Sequence, residues 1–381
     1  MPFSIAAQAR TPPPAHPSDG PLHQPHIVES IAAEAAPELK RASEHRVARL
    51  TGVQVLACGA YAPPQVVTNA ELARYGYDAD WIVQRTGIVA RRRAADNVAA
   101  SDLAYAAAVR CLTNAAAGSG RAITELLEEI DLIVLATTTP DSPMPSTACQ
   151  LQRRLGCKAA AMDVGAACAG FMFALVTGMQ FVKTGSARRV LVVGSDVMTR
   201  TINPADMKTF PLFGDGAGAV LLGPGSEEQG LVAYTLGADG SGAGLLSIPG
   251  GGSREPLTAA GLAAGRQFIQ MEGRPVFKWA VNLLADSVRA VIEAAGLTTD
   301  DLALIILHQA NRRILDAAAD ALGIAPEKMV VNLDRYGNTS AGSIPLALDE
   351  VLAAGRVKRG DHLVLSGFGA GLAWGTGVLR W

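Results

Sequence analysis

The sequence predicts an α/β protein made of two copies of one unit, and three observations predict it. From Leu50 onward, short apolar strands alternate with helical patterns. Segments recur at a separation of 172 residues: Leu132-Ile-Val-Leu with Leu304-Ile-Ile-Leu, Ala169-Gly170 with Ala341-Gly342, and Leu191-Val-Val with Leu363-Val-Leu (304 − 132, 341 − 169, 363 − 191). The strand GAGAVLL at 216–222 returns as GTGVLRW at 375–381, at an offset of 159 (375 − 216), which implies extra loop in the first half. Two such halves, 48–225 and 226–381, are expected to pack about a pseudo-twofold axis. The carboxyl ends of their strands then converge where open α/β sheets bind ligands.

A chain of 381 residues with 49% hydrophobic content buries a sizeable Ala/Val/Leu core. The net charge of −2 argues against a general nucleic-acid binder, and no 18-residue apolar span marks a membrane segment. Five cysteines at 58, 111, 149, 157 and 168 follow no metal-ligand spacing, and no signal peptide precedes them. They are expected to be free thiols in a reducing cytoplasm.

Residues 1–47 are proline-rich and hold four of the six histidines, with no strand pattern. They are expected to form an appended, flexible arm outside the catalytic fold. His16, His23, His26 and His45 lack ligand partners at metal spacing.

In the first half the strand AAMDV leads into Cys168, and the helix-like GFMFALVTGMQFV follows. Cys168 therefore lies at a strand-to-helix turn among Ala and Gly, where the backbone bends sharply and a substrate approaches. A helix N-terminus is expected to lower its pKa and favour the thiolate. The other four cysteines are expected to be small buried core residues. In the second half His308 ends the strand LALIIL at its carboxyl end, whereas His362 begins HLVL at the opposite end. His308 is thus the candidate proton-handling or polarising group. Asn338, in YGNTSAGSIP, lies in the counterpart of the cysteine loop, and beside glycine it is equally a turn residue. The glycine-rich runs FGDGAGAV and GFGAG do not fit a phosphate loop; close backbone packing with N–H groups open to an oxyanion is the expected use.

ACAGF around Cys168, FGDGAGAV, HQAN at His308, GNTSAGSIP at Asn338 and GFGAGLAWG resemble the beta-ketoacyl-acyl-carrier-protein synthase III family of the thiolase fold, from Leu50 to Trp381. The resemblance implies a five-layered αβαβα arrangement, a homodimer, and a Cys168–His308–Asn338 catalytic set. It implies condensation of a short acyl-CoA primer with malonyl-acyl-carrier protein, starting fatty-acid synthesis with no cofactor. The primer would be held on Cys168, with its oxyanion between the backbone N–H groups of Cys168 and Ala370, and Phe368 lining the malonyl carboxylate site. By the same resemblance Trp81 and Arg85 bind CoA, and Gly273, Phe277 and Asn311 line the pantetheine channel. Arg313, with Lys278 and Arg274, would dock the acidic carrier protein. Met144 would reach from one subunit into the acyl pocket of the other. Met207, beside Lys208, stands where the family often has an arginine facing the tryptophan.

No cysteine follows Cys168, which sets the chain apart from thiolases, and Asn338 replaces the second histidine of ketoacyl synthases I and II. Chalcone-synthase-like enzymes share the three residue types in different contexts. The alternatives are a same-fold relative of secondary metabolism that passes the acyl group to another acceptor and, in a different class, a non-catalytic acyl-CoA-binding protein.

Overall fold

The structure, a computed structural model, describes residues 46–381; nearly all of the arm expected at 1–47 lies outside them. Two five-stranded mixed sheets organise the chain. The first runs in the order Val53–Tyr61, Asp215–Pro224, Val190–Val197, Leu132–Ala136, Ala160–Val164. The second runs Ala48–Thr51, Gly230–Ala238, Ala373–Arg380, His362–Gly369, Leu302–Leu307. The strand Ala48–Thr51 thus crosses from the beginning of the chain into the sheet built otherwise of second-half strands.

The strands alternate apolar residues toward two buried faces, which forces helices onto both. In the first sheet Ile133, Leu135, Leu191 and Val193 face the helix Ala100–Ser119, whose Leu103, Ala104, Ala107 and Ala108 are fully buried. Val134, Val192 and Val220 face inward, onto Phe171, Met172, Leu175 and Met179 of the helix Gly170–Lys183. That helix and its counterpart Ser343–Ala353 fill the space between the sheets, with Leu304, Ile306, Leu363 and Leu365 closing it from the other side. Ile305, Leu307, Val364 and Val378 point outward, against Leu283, Leu284 and Val288 of Gly273–Ala294 and Leu315 of Arg312–Leu322. Helix, sheet, helix pair, sheet, helix pair is the expected αβαβα order.

The repeat is present as topology, but its ungapped register is not. Ile133 pairs with Leu191, and Ile305 with Val364, so the two strands are 58 residues apart in one half and 59 in the other (191 − 133, 364 − 305). Matching Leu191 to Leu363 would set an outward residue on an inward one, the face reversal that a one-residue slip causes. The cysteine turn also obeys an offset of 173. Ala167 and Ser340 both hold positive φ (48° and 50°), and the helices begin at Gly170 and Ser343. Cys168 therefore corresponds to Ala341. In the last strand Leu221 corresponds to Val378, since they pair with Leu191 and Val364 in turn; the true offset is 157 rather than 159 (378 − 221). The extra first-half loop is real. Residues 198–214 join the strands Val190–Val197 and Asp215–Pro224, whereas 370–372 join their counterparts.

Candidate active site

Cys168 sits in the three-residue turn Ala167–Ala169 at the carboxyl end of the first sheet. The positive φ of Ala167 is costly for a residue with a Cβ, of the order of 1–3 kcal/mol, and is held by the packing on either side of it. The second half closes over this turn through glycines. A Cβ on Gly369 would lie 2.8 Å from the Cys168 nitrogen and 2.9 Å from its Cβ, so only glycine lets the strand His362–Gly369 approach so closely. The same device appears at Gly214, where a Cβ would meet the Tyr336 carbonyl oxygen. Both glycine-rich runs thus pack backbone around the site.

The thiol is 8% exposed, and burial pushes its pKa up to about 12. The expected lowering by the helix is overturned because desolvation of a buried thiolate outweighs it and the nearby Asp196 carboxylate adds to the rise. The buried Ser340 hydroxyl acts in the opposite sense. Among the described residues it has no hydrogen-bond partner, and its effect on Cys168 favours the thiolate.

His308 follows the strand Leu302–Leu307 and is 1% exposed. Its N–H donates to the Ser366 carbonyl at 2.7 Å, and its Nδ1 lies 2.7 Å from Ser343 Oγ. Burial alone drives its pKa down to about 3, so the imidazole is neutral. The ring meets the edge of Phe368 at 5.2 Å between centroids. Asn338 is held by its backbone: its N–H donates to the Leu212 carbonyl, and its carbonyl accepts from Gly214. Its Oδ1 accepts from the Ser340 N–H at 2.9 Å. Among the described residues, Asn338 Nδ2 makes no hydrogen bond with the protein, and no turn or loop hydrogen bond uses the backbone N–H of Cys168 or Ala370.

One cavity of about 730 Å³ brings together Cys168, His308, Asn338 and Phe368 with Trp81, Arg85, Gly273, Arg274, Phe277, Asn311 and Arg313. Met207 and Lys208 also line it. The mouth residues come from separate elements: Trp81 and Arg85 from Ala79–Thr86, Gly273 to Phe277 from the start of Gly273–Ala294, and Arg313 from Arg312–Leu322. The Arg85 guanidinium lies 5.8 Å from the Trp81 ring centre, and that of Arg313 5.6 Å from Phe277. Asn311 ties two of these helices together, since it caps its own helix at the Arg313 N–H and donates to the Arg85 carbonyl.

Three expected site residues do not line the cavity. Lys278 is exposed outside it, Ala370 is half-buried next to Gly369, and Met144 is 86% exposed on the surface. Cys58, Cys111 and Cys157 are buried as expected, but Cys149 is exposed. Sequence reasoning missed Ser340, Ser343 and Asp196. The visible signals were the three hydroxyl residues of GNTSAGS at a helix start and the aspartate near the end of the strand VLVVGSDV. Among the described residues there is no cluster of three potential metal ligands, and no helix is long and apolar enough to cross a membrane.

Residues 162–240 match the family model for 3-oxoacyl-[acyl-carrier-protein] synthase III, and residues 292–381 match the model for its C-terminal part. The beta-ketoacyl-[acyl-carrier-protein] synthase III of Rhodopirellula baltica is 54% identical over 350 residues, covering 87% of this chain and 99% of the relative. That of Desulfitobacterium hafniense is 45% identical over 334 residues, covering 87% and 98%. Among solved structures, the synthases III of Thermus thermophilus and Aquifex aeolicus superpose with TM-scores of 0.77 and 0.78 at 41% and 39% identity. These cover 86% and 87% of this chain and 99% and 100% of theirs. A match of that extent, at more than half identity with one relative along nearly its whole length, assigns the fold and the family together: this chain is a member of the 3-oxoacyl-[acyl-carrier-protein] synthase III family.

Proposed function

We propose that the chain condenses a short acyl-CoA with malonyl-acyl-carrier protein, releasing CoA and CO₂ and supplying the first 3-oxoacyl chain of fatty-acid synthesis. The observation that carries this reading is the gathering of a thiol, a neutral buried imidazole and an amide donor without a protein partner in one cavity. Cys168 sulfur attacks the acyl-CoA carbonyl, the carbon–sulfur bond to CoA breaks, and the thiol proton ends on the departing CoA. The carbonyl oxygen takes negative charge on the way. The backbone N–H groups of Cys168 and Ala370 are the donors for it.

The malonyl thioester then loses CO₂, and the electron pair of the broken bond passes to the thioester oxygen. His308 and Asn338 are the fixed donors for that charge, and the ring of Phe368 beside His308 disfavours the charged carboxylate. The resulting carbanion attacks the acyl-Cys168 carbonyl, forming the carbon–carbon bond and releasing the Cys168 thiolate, which takes a proton from water. No step changes an oxidation state that would call for a redox cofactor.

Trp81, Arg85, Gly273, Phe277 and Asn311 hold the CoA or pantetheine arm, while Arg313, Arg274 and Lys278 meet the acidic carrier protein. We place the enzyme in the cytoplasm as a homodimer. Five free cysteines support the compartment. The half-buried edge strand Ala160–Val164 and the exposed Met144 support a second copy at that edge. The test is incubation with isotopically labelled acyl-CoA and mass spectrometry of the peptide containing Cys168, followed by addition of malonyl-carrier protein. An unmodified Cys168 overturns the reading, and so does an acylated Cys168 that forms no 3-oxoacyl product.

A further inference from the structure

The contact between His308 and Ser343 has a counterpart in the first half that carries no polar atoms. His308 directly follows its strand, at the position that Ala136 holds as the last residue of the equivalent one, and Ser343 opens its helix where Gly170 opens the other. In the first half these positions touch as small residues, since a Cβ on Gly170 would lie 3.0 Å from that of Ala136. In the second half the same contact is a hydrogen bond of 2.7 Å between His308 Nδ1 and Ser343 Oγ.

The partner on Nδ1 decides what Nε2 does. A carbonyl or carboxylate there would only accept, place the proton on Nδ1, and leave Nε2 a base. A hydroxyl serves either way, so the deciding fact is what else Ser343 can bond. The side chain is 2% exposed, and among the described residues it makes no hydrogen bond except that to His308. If Ser343 accepted from Nδ1–H, its own proton would be buried without an acceptor, at the desolvation cost of an unmade bond. If Ser343 donates, its proton is satisfied and the single proton of the neutral ring must be on Nε2.

We infer that Ser343 is a positioning residue that donates its hydroxyl proton to His308 Nδ1 and so holds the imidazole in the tautomer with Nε2–H. The inference rests on the condensing role proposed above for His308 and adds a residue to it. It makes His308 a hydrogen-bond donor to the decarboxylation oxyanion and excludes its Nε2 as the acceptor of the Cys168 proton.

The experiment records nitrogen-15 NMR spectra of the full chain carrying labelled histidine, with His308→Gln to assign the resonance. The expected result is a protonated Nε2 and an unprotonated Nδ1 in the wild type. Ser343→Thr should keep that state, while Ser343→Ala should mix the tautomers and slow CO₂ release from a malonyl thioester by about 3- to 10-fold, the scale of one lost hydrogen bond. Cys168 acylation should be unchanged in both variants. A wild-type proton on Nδ1 overturns the inference, even if Ser343→Ala fails to fold. An alanine variant with wild-type tautomer and wild-type CO₂ release overturns it too. Failure of the wild type to acylate Cys168 would defeat the condensing reading while the tautomer is still read from the spectrum.

Discussion

The two strand-to-helix turns are built on one plan and loaded differently. Ala167 and Ser340 share the left-handed conformation, and each turn is cradled by a glycine of the opposite half. Gly194 leaves room for the Ala341 carbonyl, and Gly367, 173 residues later, leaves room for the Cys168 carbonyl. The plan breaks two residues further along each strand, at Asp196 and Gly369. The buried Asp196 carboxylate accepts from the Ala341 N–H at 3.0 Å, while its other oxygen gathers donors from Thr137, Thr138 and Thr139. At Gly369 there is no side chain to accept from the matching N–H, that of Cys168. One turn is thereby locked by a carboxylate, and at the other no side chain stands opposite the N–H that the mechanism proposed above aims at a reacting oxygen. The same backbone serves as an anchor in one half and, on the proposed mechanism, as a receptor in the other, with a single position separating the two.

The comparison is broken most severely at Cys168, the proposed nucleophile. Cys168→Ala should abolish acyl transfer, read as loss of the covalent acyl adduct, yet still release CO₂ from a malonyl thioester, because the donors of the second half are untouched. If that variant stops decarboxylation as completely as His308→Ala while remaining folded, the two halves do not divide the labour. His308→Ala and Asn338→Ala should each lower CO₂ release by roughly 10²–10³-fold and leave Cys168 acylation standing, with the double variant little worse than either single one. Because burial holds the His308 pKa near 3, CO₂ release by Cys168→Ala should be flat from about pH 8 to about pH 5, as the imidazole stays neutral throughout. The same shift lowers folding stability as pH falls from the ordinary value of 6.5 toward 3, where the unfolded chain gains a proton that the folded one does not.

Gly369→Ala tests the point where the plan breaks. Its Cβ would crowd the Cys168 nitrogen, and condensation should fall by about 10²-fold, the scale of one obstructed oxyanion donor, with the fold intact by circular dichroism. Wild-type turnover would show that this N–H does not matter. Ser340→Ala removes a group that favours the thiolate. Acylation should slow by about 3- to 10-fold at neutral pH, with its alkaline limb moved to higher pH, and a limb moved to lower pH would contradict the assignment. The smallest effect is expected at Met144. Exchange for Phe or Thr should shift the chain-length profile of accepted primers without lowering the best rate by more than a few-fold, and an unchanged profile removes Met144 from the acyl pocket.

What was legible in the sequence follows from how local each signal is. Strands with alternating burial and helices with apolar faces announce themselves within a few residues, so the α/β class and the turn at Cys168 were readable, while the five-layer order came from the family resemblance. His308 was readable because its strand shows which end it occupies. The register of the repeat was not, since two strands separated by one extra residue look alike until hydrogen bonds fix which face each side chain takes. Asp196, Ser340 and Ser343 were missed for a related reason. Their partners, Ala341, Cys168 and His308, are distant in the chain or across the interface between halves, and nothing local marks a hydroxyl as donor to a particular ring. The thiol pKa was misjudged because a helix start is visible in sequence, whereas enclosure by the second half is not.

That enclosure bears on oxidation. Burial that holds the thiol pKa well above its ordinary value leaves little thiolate at neutral pH, and peroxides and alkylating reagents attack the thiolate. The buried Cys168 is thus less open to such reagents than the exposed Cys149, which meets them first. An oxidising episode is therefore expected to mark Cys149 on the surface before it reaches the sulfur on which the proposed chemistry depends.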